Sequence, residues 1–225
     1  MEPQDIDAEL DTLSVLADPV RRAAYRVVAA ASAPVGRDDV AGELGIGRTL
    51  AAHHLDRLVE AGLLAVSYAR RSGRTGPGAG RPAKLYSRAP GEHAATVPPR
   101  AYGAVAELLA EAVDRAGADD SLYDVARARG RVAGAAAGST AAGRDEVIAA
   151  LARQGYEPEV DGPVIRLRNC PFHRLAEQFP PLVCGMNLAL LDGLLDGLGA
   201  DGTARLDPTP GHCCVVLEVS NDNND

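Results

Sequence analysis

Tryptophan is absent from this 225-residue chain, which has only two phenylalanines, two methionines and four cysteines. A core so poor in large aromatics must be built from Ala, Leu and Val, and such a composition favours helices. No stretch reaches the roughly 18 apolar residues that a membrane span needs, so no membrane partner is expected. The opening MEPQDIDAEL is acidic and has no apolar run, unlike a signal or transit peptide. The expected location is the cytoplasm, where thiols stay reduced and structural disulfides are not expected. Basic residues are in deficit too, 23 against 31 acidic, for a formal net charge of −8. That sum does not suggest nucleic acid, but its distribution does. From Leu63 to Arg88 there are six basic residues and no acidic one.

Residues 11–31 read as a helix with a new start at Asp18-Pro19, since Pro is tolerated in the first turn. Val40, Ala41 and Leu44 line a short helix, and Gly45-Ile46-Gly47 is a tight turn. From Arg48 a second helix follows, with Leu50, Ala51, Leu55, Leu58 and Val59 on its apolar side and Gly62 as its C-terminal cap. Two short helices around a glycine turn form a helix-turn-helix. LLAVSYARR and AKLYSRA then read as strands around a turn-rich tip, SGRTGPGAGRP. The whole describes a winged helix over residues 11–88. Its candidate contacts to double-stranded DNA are Arg48, Thr49, Ala52, His53 and Arg57 on the recognition helix. In the wing they are Arg70, Arg71, Arg74, Arg81 and Lys84. His53 and His54 are expected at the surface or an interface rather than as ligands.

Residues 89–142 read as a Pro-containing linker followed by helices over 101–117 and about 121–136. These helices are candidates for a homodimer contact, with Tyr102, Val105, Leu109 and Val113 on one stripe. Residues 143–219 read as a small α/β module, and SNDNND as a disordered tail. The expected fold class is mainly α with an α+β sensor.

All four cysteines fall in that last module. Cys170 is expected to end a strand, Cys184 to sit in the first turns of a helix opening at Pro180-Pro181, and Cys213 and Cys214 to begin a strand. Thirteen residues separate Cys170 from Cys184, and 28 separate Cys184 from Cys213, which is not the paired CxxC pattern of a zinc ribbon. Isolated thiolates with a loosely defined fourth ligand suit an iron–sulfur cluster, with His173 or His212 as candidate fourth ligands. Strand alternation sends Cys213 and Cys214 to opposite faces, so only one is expected to ligate. The helix N-terminus and nearby Arg168 or Arg174 are expected to lower thiol pKa. A Cys170–His173 nucleophile pair is the enzymatic alternative. No oxyanion or substrate motif accompanies it, so an enzyme is not expected.

Taken together, RTLAAHHLDRLVEAGLL, RRSGRTGPGAGRPAKLY, VPPRAYGAVAELLAEA and NCPFH…LVCGMN…PGHCCV resemble the ArsR-type winged-helix regulators of the SufR kind, repressors of iron–sulfur-assembly operons. The resemblance runs from about Ala17 to Glu218. It implies a homodimer carrying an iron–sulfur cluster, of the [4Fe–4S] type, on three cysteines that map to Cys170, Cys184 and Cys213 or Cys214. It further implies that the cluster-loaded form binds the operator and that cluster loss releases it. Both cysteine gaps run slightly longer here than in that family. The alternatives are a regulator that senses zinc or thiol oxidation, or one that holds a small apolar ligand with no metal and structural cysteines.

Overall fold

A computed structural model describes residues 6–69, 82–137 and 142–220. The architecture is helix-rich and mixed, with two small antiparallel sheets, in keeping with a mainly helical chain of α+β character. Chain contacts divide it into two units, with the boundary between Arg100 and Ala101. The helices of 101–136 therefore group with the C-terminal residues.

In the N-terminal unit the expected helix over 11–31 is broken. Helix α1 (Ile6–Ser14) leads through a 3-10 turn (Val15–Ala17) to α2 (Pro19–Ala30). The break is where the sequence signals a new start. The Asp18 carboxylate accepts from the N–H groups of Val20 and Arg21, each at 2.9 Å, and Pro19 needs no partner in the first turn. The short strand β1 (Val35–Gly36), unforeseen in the sequence, leads into α3 (Arg37–Leu44) and α4 (Arg48–Glu60). The turn between the two helices depends on Gly45 in the left-handed region, φ 63°, a conformation that costs other residues steric energy. Strands β2 (Leu64–Ala69) and β3 (Ala83–Arg88) pair antiparallel, and β1 adds to β3, giving the order β1-β3-β2.

Ala24 and Val28 of α2, Val40 of α3, Leu55 and Leu58 of α4, and Leu64 and Tyr86 of the sheet form this unit's core. Two expectations on α4 are corrected. Leu50 is exposed, and His54 takes an inward position, only 6% exposed. The buried set is Ala51, His54, Leu55 and Leu58, a stripe at helical spacing that leaves Leu50 on the far side.

The C-terminal unit begins with α5 (Tyr102–Ala116) and α6 (Asp119–Ala135). After α7 (Arg144–Arg153) come β4 (Pro158–Asp161), β5 (Val164–Leu167), a short helix α8 (His173–Gln178), the long α9 (Pro180–Leu198), β6 (Gly202–Leu206) and β7 (Val215–Val219). The sheet order is β4-β5-β7-β6, antiparallel throughout. Val147 and Leu151 of α7 and Leu191, Leu194, Leu195 and Leu198 of α9 pack on Ile165, Leu167, Val215 and Leu217.

Helix α9 is long and apolar enough to cross a membrane by length and composition alone, as a core helix can be, and half of that window is buried inside the unit. It meets α6 at backbone distance. Gly130 and Gly134 of α6 face α9, and Gly193 and Gly197 of α9 face the carbonyls of Arg127 and Arg131. Arg127 also donates to Asp192 at 2.6 Å. Helix α8 was not foreseen. Of the tail, Ser220 is held by Asp201, with its N–H and hydroxyl both at 2.9 Å; residues 221–225 lie outside the described residues.

Candidate functional site

The outward side of α4 carries four of the five predicted contacts. Arg48, Thr49, His53 and Arg57 are exposed, and Ala52 is half-buried. Arg48 pairs with Asp38 at 2.7 Å and Arg57 with Glu60 at 2.7 Å, both at the surface. Exposed pairs of this kind are worth little and exchange readily for another anion. Lys84 is held more firmly. It donates to Asp56 at 2.6 Å and lies 5.2 Å from the Tyr86 ring centre, while the Tyr86 hydroxyl donates to the same carboxylate oxygen at 2.9 Å. Burial works against the Asp56 charge, but the bonds from Lys84 and Tyr86 outweigh it and its carboxyl sits below the ordinary value. Lys84 thus joins β3 to α4. Arg70, Arg71, Arg74 and Arg81 lie outside the described residues.

His54 sits behind this surface. Its Nδ1 is buried without a hydrogen-bond partner. Burial first, then neighbouring Arg21 and His53, lower its pKa below 6.5 against the opposing pull of Asp18. The neutral ring is therefore the folded form. As pH falls through about 6.5 the unfolded chain takes up a proton that the folded chain refuses. Stability is full above that pH and declines below it. A His54→Gln variant should show a shallower loss of melting temperature between about pH 7 and pH 5.5. Equal pH dependence in both proteins would contradict the burial of a neutral ring.

In the C-terminal unit, Cys213 has two other cysteines beside it. Cys170 lies in the loop after β5, where its carbonyl accepts from the His173 N–H at 3.0 Å. Cys213 and Cys214 lie just before β7. The Cys213 N–H donates to Leu167 at 2.7 Å, and the Cys214 carbonyl accepts from Asp207 at 2.8 Å. The Cys213 thiol lies close enough to those of Cys170 and Cys214 for each to act on its titration. The expectation of opposite faces is corrected. The pair precedes the strand, so alternation does not apply, and both pack on the same apolar cluster, Cys213 buried and Cys214 half-buried.

Cys184 is half-buried in the first turns of α9, as expected. It shares a helical stripe with Asn187, Leu188 and Leu191, at i, i+3, i+4 and i+7. Asn187 is fully buried, and its Nδ2 lies 3.2 Å from the Cys213 sulfur. The Tyr156 hydroxyl donates to Asn187 Oδ1 at 2.5 Å. Burial, then the nearby cysteines, raise the Tyr156 pKa, so its hydroxyl stays protonated.

For Cys170 and Cys213 the expected low thiol pKa is corrected as well. The Cys213 thiol beside it, then burial, push the Cys170 thiol far up. For Cys213 the contact with Cys170 lowers the value, but the contact with Cys214 and burial carry it up to about 11. The arginines do not offset this. Arg168 lies 3.8 Å from Glu157 and 3.7 Å from Glu159, and Arg174 lies 3.3 Å from Glu107. Neither histidine joins the thiols. His173 faces Glu177 at 3.2 Å, and His212 Nδ1 lies 3.2 Å from the Pro210 carbonyl.

Among the described residues no three His, Cys, Asp or Glu side chains form a ready metal-binding group. The donor chemistry nevertheless fits a thiophilic metal. Crowded thiols without a counter-charge stay protonated, and a bound cation reverses that by taking them as thiolates. Sequence reasoning missed Tyr156 and Asn187. The available signal was a lone Asn in the apolar run of α9, three residues after Cys184. No protein-family model, curated protein or solved structure matches the chain.

Proposed function

We propose that the chain is a DNA-binding transcriptional regulator with an N-terminal winged helix-turn-helix, whose operator affinity is controlled by an iron–sulfur cluster on its C-terminal cysteines. The observation that carries this reading is the nearness of the Cys213 thiol to Cys170 on one side and to Cys214 on the other, with Cys184 on the same α9 stripe as Asn187, whose amide reaches Cys213. The α3–turn–α4 pair followed by the β2–β3 hairpin supports the DNA-binding half, as does the basic run from Leu63 to Arg88. Cys170, Cys184 and Cys213 would hold the cluster, with Cys214 available for the remaining position.

When bound, such a cluster supplies redox and oxygen sensitivity. Ligands drawn from the β5–α8 loop, from α9 and from the segment before β7 let the metal tie three elements together. The homodimer in this reading forms through α5, where Tyr102, Val105, Leu108 and Leu109 are all more than half exposed. An apolar row of that size on a soluble chain marks an interaction surface. The proposed setting is cytoplasmic, away from membranes, and the role is not enzymatic.

The test is anaerobic purification with iron and acid-labile sulfide analysis, followed by selection of bound duplexes from a random DNA pool. The expected protein is brown, with iron and sulfide in equal amounts. It selects a two-fold related sequence and binds it more tightly with the cluster than without, with an affinity that falls as salt rises. A colourless protein after reconstitution with iron and sulfide rejects the cluster. Stoichiometric zinc without sulfide would assign the same thiols to a single ion. Failure to enrich any duplex rejects the DNA-binding half.

A further inference from the structure

Asn187 occupies a position where an apolar side chain would serve the fold better. It lies on the α9 stripe with Leu188, Leu191 and Leu195, is fully buried, and faces the core of the C-terminal unit. Burying a carboxamide costs free energy unless its hydrogen bonds are made. Here they are made by two groups that are themselves buried. Tyr156, 3% exposed, donates its hydroxyl to Oδ1 at 2.5 Å, and Nδ2 meets the sulfur of Cys213, also 3% exposed, at 3.2 Å.

The direction of this chain is informative. A carboxamide can present either its oxygen or its nitrogen to a neighbour. The phenol donates to the oxygen, so the N–H side is turned toward sulfur. A neutral thiol in an apolar core gains little from such a donor, because it packs as a small hydrophobe. A thiolate is a pure acceptor, and a charged acceptor roughly doubles the strength of a hydrogen bond. The relay Tyr156–Asn187–Cys213 therefore aims an N–H donor at the sulfur that the cluster reading makes a ligand.

We propose that Asn187 is a positioning residue that donates an N–H···S hydrogen bond to Cys213 as a metal-bound thiolate, and that Tyr156 fixes the orientation of its amide. This rests on the cluster reading above and deepens it. Cys213 becomes the anchoring ligand of the doubled pair, and the relay tunes the metal it holds. Hydrogen bonds to ligand sulfur withdraw charge from it. They make reduction easier and the metal–sulfur bond harder to lose to protons.

The test compares wild type, Asn187→Leu and Tyr156→Phe, all reconstituted anaerobically with iron and sulfide. Iron and sulfide content, the reduction potential, and the rate at which a chelator bleaches the visible absorbance are measured on each. The expected result is near-equal loading of all three. Asn187→Leu should have a more negative potential and bleach about tenfold faster. Tyr156→Phe should shift both quantities in the same direction by less. Loaded variants with wild-type potential and bleaching rate would overturn the assignment while leaving the cluster reading intact. Wild type that takes up no iron overturns the cluster reading itself, and this assignment with it. Should Asn187→Leu not fold, Tyr156→Phe decides alone, because it removes one hydroxyl and keeps the ring's packing.

Discussion

A Cys213→Ser protein reconstituted with iron and sulfide is expected to remain colourless, whereas Cys214→Ser is expected to fill. The two residues are neighbours in sequence, but their surroundings differ. The sulfur of Cys213 meets Cys170, Cys214 and the Asn187 amide, and its backbone is fixed to Leu167 of β5. Cys214 is half-buried, and the thiol contact it makes is with Cys213. Removing Cys213 therefore removes the point on which the other groups converge. Serine is nearly isosteric, and its hydroxyl can still accept from Asn187, so the fold should survive; far-ultraviolet circular dichroism checks this. Bound iron per chain is the readout, with operator affinity beside it, which in Cys213→Ser should equal that of the metal-free wild type. A fully loaded Cys213→Ser protein, or an empty Cys214→Ser protein, would reverse the assignment of the third ligand.

Most of the elements were legible because local signals agreed. Asp18-Pro19, Gly45 and Gly62 each mark a helix boundary by a mechanism that needs no tertiary information: a side-chain cap, a fixed φ, a left-handed residue. LLAVSYARR and AKLYSRA were equally explicit as strands, and β2 and β3 fall within them; the turn-rich tip between them lies outside the described residues. Three things were not legible. The two-residue strand β1 exists because β3 offers a free edge, a tertiary fact. Helix α8 is a single short element between a cysteine loop and Pro180, too brief for periodicity to show. His54 reads as one of a polar pair, and only the packing of α4 on α2 reveals that one member points inward.

The cysteine site divides in the same way. That Cys170, Cys184 and the Cys213–Cys214 pair fall at the ends of elements follows from the sequence. That Cys213 is the hub follows only from the sheet register, which sets its backbone against Leu167, and from the reach of Asn187. The arginines misled for a related reason. Arg168 and Arg174 adjoin the site in sequence, but carboxylates of β4, its approach and α5 engage them.

Gly193→Ala is expected to destabilise the C-terminal unit, although alanine is the better helix former. In an exposed helix interior the exchange of Gly for Ala gains about 1 kcal/mol. At Gly193 a Cβ would overlap the carbonyl oxygen of Arg127 and lie 2.9 Å from its carbon and 3.0 Å from its Cα. All three atoms are backbone, so no rotamer change relieves the clash, and α6 and α9 must separate. Separation cannot be local. Gly130 and Gly134 face α9 at the same closeness, with a Cβ on Gly134 lying 2.5 Å from the Leu194 carbonyl and 2.7 Å from the Leu198 nitrogen. Overpacking of this kind costs about 3 kcal/mol. The net loss of about 2 kcal/mol corresponds to a fall of about 5–10 °C in melting temperature. Gly42→Ala on α3 is the control, because a Cβ there meets nothing within 4 Å. It should raise stability by about 0.5–1 kcal/mol. The same substitution thus has opposite signs in two helices, and thermal unfolding of the two variants reads the difference. A Gly193→Ala protein as stable as wild type would mean that α6 and α9 do not meet through their backbones. The consequence for the proposed metal site is direct, since α9 carries both Cys184 and Asn187. A helix displaced from α6 moves both relative to Cys213, so Gly193→Ala should also load less iron than wild type, while Gly42→Ala should load the same amount.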